Sequence, residues 1–253
     1  MIPVKSPDEI KIMREGGKIL AGVLQKVLVK AKPGVTTLEL DKFADDLITK
    51  AGAKPSFKME KYSSATCQCL NDIVVHGLPT GIVLKNDDIL GVDLGVFYQG
   101  FHTDASWTIQ VQNSKLKIQS SFLEIGEKAL EEAISVCRIG NHVGHISQKI
   151  QEIVEGGGYS CVKQLVGHGV GRELHEDPEI PCYLRGKIEN TALIKEGMTF
   201  AVEVIYNQGK SPIVYKNDDG WTIVTRDGLL SGLFEHTVAI TAQGPCILTS
   251  TLI

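Results

Sequence analysis

In the stretch GVDLGVFYQGFHTDAS, residues 91–106, two aspartates stand within runs of otherwise apolar, strand-forming residues. Alternation broken by a short glycine-containing turn at Tyr98, Gln99 and Gly100 predicts a hairpin. With the turn centred between Tyr98 and Gln99, Asp93 and Asp104 face each other across the ladder on one side of the sheet. Like charges so placed repel, and the pattern calls for a cation between them or a shared proton. Glu203 in MTFAVEVIY and Glu235 in GLFEHTVAIT form a second pair, on strands that enclose a shorter hairpin turning at NDDG, before Trp221. A turn centre near Asp219 sets them opposite one another. Val92 and Leu94 flank Asp93, and Val202 and Val204 flank Glu203, so neither strand has a fully wet side. Burying four carboxylates without compensation is prohibitive, and two divalent cations would supply it.

Histidines lie near these acids. GHGVGRELHEDP carries His168 and His175 in a segment too rich in glycine for a regular helix. His76 closes NDIVVHGLP, a strand ending in Gly and Pro, the kind of loop mouth where functional groups sit on rigid supports. His102 precedes Asp104 by two and shares its face, behind the carboxylates. His236 follows Glu235 directly and must point to the opposite face. His142 and His145 read as ordinary surface or core residues.

The elements that must position these groups come in two rounds. Ser6, Pro7 and Glu9 form a capping box with proline in the first turn, opening a helix over about 7–30. KPGVTT ends it, and Thr36 with Glu39 caps a second helix that stops at Gly52. Strands follow in SATCQCL, DIVVHG, DILGVDLGV and FHTDASWTIQV. At Ser114 the order repeats: a long helix through Phe122, Leu130 and Ile134, the loop RIGNHVG, a helix through Ile146 and Ile150, EGGG, then strands. The chain therefore reads as α+β, one catalytic domain over 1–253 built of two halves, about 1–113 and 114–253, that share an antiparallel sheet about a pseudo-twofold axis. No Ser- or Pro-rich linker separates them.

A net charge of −4 gives no bulk reason to bind nucleic acid, and no run of eighteen apolar residues suggests a membrane span. The N-terminus lacks a signal-peptide core, so a cytoplasmic location is expected. Six cysteines without C-x-x-C spacing read as reduced thiols, buried except for Cys67, which stands apart.

Taken in order, NDIVVHGLP, VDLG, FHTDAS, GHGVGRELHEDP, AVEV, DDGWT and FEHT resemble the bacterial-type (type I) methionine aminopeptidases, which have the pita-bread fold. The resemblance runs from the first helix to the last strand. It implies that Asp93, Asp104, His168, Glu203 and Glu235 bind two divalent metal ions, with Asp104 and Glu235 bridging. Asp93 would complete one site, and His168 with Glu203 the other. His76 and His175 match the family's non-ligand histidines, which contact the scissile amide and the carbonyl oxygen. The methionine pocket maps to Met59, Tyr62, Cys67, Leu174 and Trp221. Leu174 stands where the family usually has an aromatic residue, Val204 and Ile205 where proline is frequent, and Thr103 where glycine is common.

The activity implied is removal of the N-terminal methionine from peptides and nascent proteins, by attack of metal-activated water on the first peptide bond. Glu203 would carry the proton, His175 would polarise the carbonyl and His76 would position the amide. Four carboxylates and one imidazole suit Mn(II), Fe(II) or Co(II), and accommodate Zn(II) without selecting it strongly. A monomer that meets nascent chains at the ribosome is the family-based expectation. Two rivals stand beside this reading: a hydrolase of the same fold that cleaves before proline, and a metal-free binding module that kept the fold.

Overall fold

The computed structural model describes residues 2–112, 121–216 and 219–250. Its first round comprises α1 (Pro7–Lys30), α2 (Thr37–Lys50), β1 (Lys54–Pro55), β2 (Cys67–Leu70), β3 (Ile73–Val75), β4 (Ile89–Tyr98) and β5 (Phe101–Gln110). The second has α3 (Ser121–Ser135), α4 (Val143–Gly156), β6 (Ser160–Cys161), β7 (Val166–Gly169), β8 (Glu176–Pro181), β9 (Thr199–Asn207), β10 (Ile213–Tyr215), β11 (Ile223–Thr225), β12 (Ser231–Thr241) and β13 (Gly244–Ile247). The expected helix start at Ser114 lies outside the described residues.

Local chemistry sets the helix starts. Ser6 Oγ accepts the Glu9 amide at 3.3 Å while the Glu9 carboxylate takes the Ser6 amide at 2.8 Å, and Thr36 with Glu39 repeats the device. His142 caps α4: its amide donates to His145 Nδ1 at 3.0 Å, and its ring bonds the Thr191 carbonyl at 2.7 Å. Both histidines therefore serve the helix terminus.

The apolar stripe of α1 and α2, including Leu20, Val27, Leu40 and Ile48, packs on Leu90 and Leu94 of β4. In the second round α3 lies over β9 and β12 and α4 over β6 and β8, with Phe122, Leu130, Ile146 and Ile150 in one apolar core with Val202 of β9 and Phe234 of β12. The first helix of each round thus covers one long antiparallel strand pair, β4 with β5 or β9 with β12.

The strands pair as one four-stranded sheet of β1, β2 and β5 around β4, a six-stranded sheet in the order β13-β12-β9-β7-β8 with β6 on β9, and a small β10-β11-β3 sheet. The two large sheets meet where β5 runs beside β12. Thr237 Oγ accepts the Asp104 amide and donates to the Asp104 carbonyl, each at 2.8 Å. Thr108 Oγ donates to the Leu233 carbonyl at 2.7 Å and accepts its amide at 3.0 Å. Threonine hydroxyls thus take the place of ladder hydrogen bonds along this seam. The seam brings the acid-bearing strands of the two rounds together.

Among the described residues, no helix is long and apolar enough to cross a membrane.

Candidate metal centre

The β4–β5 turn lies one residue later than the sequence suggests. Gln99 and Gly100, with φ of 46° and 91°, form a two-residue turn, and Tyr98 pairs with Phe101. Asp104 therefore faces Gly95, and Asp93 faces Ser106. The two aspartates are diagonal neighbours, and the even offset keeps them on one face. Glu203 and Glu235 do pair directly across β9 and β12, and the hairpin between them pairs Ile213 with Thr225, as expected.

Across the seam, ligand-type atoms of Asp104, His168 and Glu235 lie within 4.8 Å of one another. His168 Nε2 is 3.3 Å from Glu203 Oε1, while its Nδ1–H donates to the Gly169 carbonyl at 2.8 Å. That second bond leaves Nε2 facing the carboxylates, as for a metal-binding imidazole. Buried oxygens of Asp93 (Oδ1), Asp104 (Oδ1) and Glu235 (Oε1) have no hydrogen-bond partner. Buried polar atoms are rarely left so, and three on one cluster fit an oxygen-coordinated cation.

The electrostatics agree. Burial first, then Asp104 and Glu203, pushes the Asp93 carboxyl well above the usual carboxylate range. Burial likewise lifts Glu235, reinforced by Asp104, Glu203 and Asp93. Asp104 is raised to about 7 by burial, with His168 acting against it. For His168, burial pulls down, but the hydrogen bond and charge of Glu203 and the charge of Asp104 outweigh it and leave the imidazole raised. The residues form a charge-frustrated cluster that a divalent ion would relieve. The chain therefore carries a buried site fit for divalent metal.

A pocket that combines these polar groups with an apolar wall opens at this cluster. Its lining joins Asp93, Asp104, His168, Glu203 and Glu235 to His76, His175, Tyr62, Cys67, Leu174 and Trp221. His76 holds φ of 55° at the end of β3, a left-handed backbone uncommon for a residue with a side chain. Its ring meets the Trp221 ring edge-on at 6.0 Å, and the His175 and His168 rings are 4.5 Å apart. Burial lowers His76 and brings His175 to about 4, so both imidazoles are neutral near pH 7. Asp219 fixes the Trp221 loop, accepting the Trp221 amide at 2.8 Å and the Thr222 amide at 2.9 Å. Cys67 pairs with Asp93 across β2 and β4, and burial followed by the Asp93 charge keeps it a thiol.

Met59 is a correction. It sits in the short helical turn Phe57–Glu60, is 46% exposed and does not line the pocket. Phe57 faces inward instead, packing with Tyr62, Cys67 and Leu174. Gly95 makes room for that turn: a Cβ there would lie 2.7 Å from Ser56 Cβ. His102 is buried behind the acids, with its Nδ1 bonded to Ser56 Oγ at 2.9 Å and its ring against Phe97. His236 points away from the site, to Thr249 Oγ at 2.9 Å. Phe57, Glu60, Val75 and Leu233 also line the pocket and were not anticipated. Leu233 could have been found, because it lies two before Glu235 on the same strand face. For Phe57 the sequence holds no such signal.

The model of metallopeptidase family M24 matches residues 11–242. A methionine aminopeptidase of Clostridium perfringens is 42% identical over 250 residues, which cover 98% of this chain and 99% of that protein. Methionine aminopeptidase 1 of Bacillus subtilis is 41% identical over 250 residues, with the same two coverages. The crystal structure of methionine aminopeptidase from Thermotoga maritima superposes with a TM-score of 0.93 at 39% identity, covering 99% of this chain and 100% of that one. A prolidase from Pyrococcus furiosus, at 24% identity and a TM-score of 0.75, shares the fold, and this chain spans 66% of its length.

Proposed function

The chain belongs to metallopeptidase family M24, and from that premise we propose that it hydrolyses the first peptide bond of peptides and nascent proteins that begin with methionine. The observation that carries this reading is the set of partnerless carboxylate oxygens of residues that line one pocket with the apolar Phe57, Leu174 and Trp221. Asp93, Asp104, His168, Glu203 and Glu235 would hold two divalent ions in one pita-bread catalytic unit. Mn(II), Fe(II) or Co(II) suit the oxygen-rich set. When bound, such ions supply Lewis acidity, making a water nucleophilic near neutral pH and stabilising charge on the carbonyl oxygen.

The protein's own groups then do the rest. Phe57, Tyr62, Cys67, Leu174 and Trp221 bury the thioether side chain, with the Cys67 thiol a soft wall against sulfur. Neutral His175 donates a hydrogen bond to the carbonyl oxygen as charge develops there. His76, held by its left-handed backbone and the Trp221 ring, orients the scissile amide. Glu203 accepts the proton of the attacking water and passes it to the leaving amine. A small second residue is favoured. The six unpaired cysteines suit the reducing cytoplasm, and a monomer acting on chains as they leave the ribosome completes the reading.

Chelator-stripped protein is assayed for free methionine from Met-Ala-Ser and for cleavage of an X-Pro peptide, with and without Mn(II), Fe(II) or Co(II). The expected result is metal-restored methionine release, with Met-Gly and Met-Ala peptides faster than Met-Leu and no X-Pro cleavage. Failure of every metal to restore release would overturn the function. X-Pro cleavage in place of it would assign the chain to the prolidase side of the fold.

A further inference from the structure

Lysine is almost never fully buried unless paired. The Lys5 side chain is 1% exposed, and its ammonium is bound to the carboxylate of Glu176, 5% exposed. Lys5 precedes α1, and its amide donates to the Gly197 carbonyl at 2.7 Å, so its backbone is fixed as well. The other Glu176 oxygen accepts the amides of Arg172 at 2.7 Å and Glu173 at 3.3 Å. Glu176 thus closes a turn over residues 171–176, and Lys5 anchors the group that closes it. Gly171 fits against the lysine: a Cβ there would lie 2.2 Å from Lys5 Cε. The same turn is tied to α1 by Arg172 with Glu9, and to β5 by the His102 amide on the Gly171 carbonyl at 2.6 Å. Leu174 and His175, between these fastenings, are the residues of the turn that line the pocket.

We propose that Lys5 is a positioning residue: through Glu176 it fixes the 171–176 turn, holding Leu174 in the pocket wall and His175 beside the reacting amide. The proposal rests on the function given to His175 above. Lys5 touches neither substrate nor metal in this scheme. Its effect passes through Glu176, and a shift of about 1 Å in a catalytic group costs up to roughly a hundredfold in rate.

The test uses the full, metal-loaded chain. Lys5→Met is made in the wild type and in the His175→Ala background, and kcat and KM are measured on Met-Ala-Ser. We expect kcat to fall roughly tenfold or more in the wild type and less than about twofold when His175 is already gone, the non-additivity of residues acting through one another. Amide exchange at residues 172–176 should quicken while that of β4 stays as it was. Should Lys5→Met not fold, Lys5→Met with Glu176→Gln removes both charges together and leaves no lone buried ion. Equal losses in both backgrounds, or an unchanged kcat in a folded variant, would overturn the proposal. If the wild type releases no methionine, the functional reading fails by itself; exchange at 172–176 then decides the tether, and unchanged exchange refutes it.

Discussion

Replacing Asp104 by Asn should stabilise the metal-free protein and destabilise the metal-loaded one. Asp104 is buried, and its carboxyl is raised from the ordinary 3.8 to about 7, chiefly by burial. For a raised carboxyl, the stability present below the unfolded pKa is lost as pH climbs through the folded one. At about 1.4 kcal/mol per pH unit, the full loss is roughly 4 kcal/mol, of which about 3 falls between pH 5 and pH 8. Asn, nearly the same shape, never ionises and escapes this loss. Urea unfolding of chelator-treated wild type and Asp104→Asn at pH 5 and pH 8 measures it. The stability advantage of the variant should grow by roughly 3 kcal/mol over that interval. Saturating Mn(II) or Co(II) should invert the order, because the wild type gains binding energy that the variant lacks. Metal binding to the wild type should also release protons, visible as a buffer-dependent heat. A variant less stable than the wild type without metal at pH 8, or a difference that does not change with pH, would refute the account of Asp104 as a charge awaiting a cation.

Two further perturbations probe the scaffold and the pocket. Thr237→Val leaves the amide and carbonyl of Asp104 unpaired at the seam, so urea unfolding should show a loss of about 2–4 kcal/mol together with weaker metal binding. Trp221→Ala and Leu174→Ala should each raise KM for Met-Ala-Ser roughly tenfold, since burial of an apolar side chain is worth about 1.5–3 kcal/mol. Exposed Met59→Ala should leave KM within about twofold of the wild type, a contrast that checks the revised pocket wall.

The helix starts were written locally, in Ser6 with Glu9 and in Thr36 with Glu39, because a capping box needs only residues three apart. Period-two alternation placed Asp93 with Asp104 and Glu203 with Glu235 on common faces, since that follows from the pleat whatever surrounds the strand. The same alternation sent His236 away from the site. The exact turn did not follow, because both Tyr98-Gln99 and Gln99-Gly100 satisfy the pattern. The left-handed backbone available to glycine selected the second. Only the tertiary structure joined the two rounds, through Thr108 and Thr237 side chains that bond across more than a hundred residues of sequence. It alone turned Phe57 inward and Met59 outward, since a short helical turn packed on Gly95 has no periodicity from which to read a face. And it alone buried Lys5 against Glu176, an ion pair whose partners are 171 residues apart and whose meaning lies in the turn they close. Residue types and spacing determined which groups could do chemistry; long-range packing decided how closely they meet, because distances across a seam depend on contacts that no local pattern records.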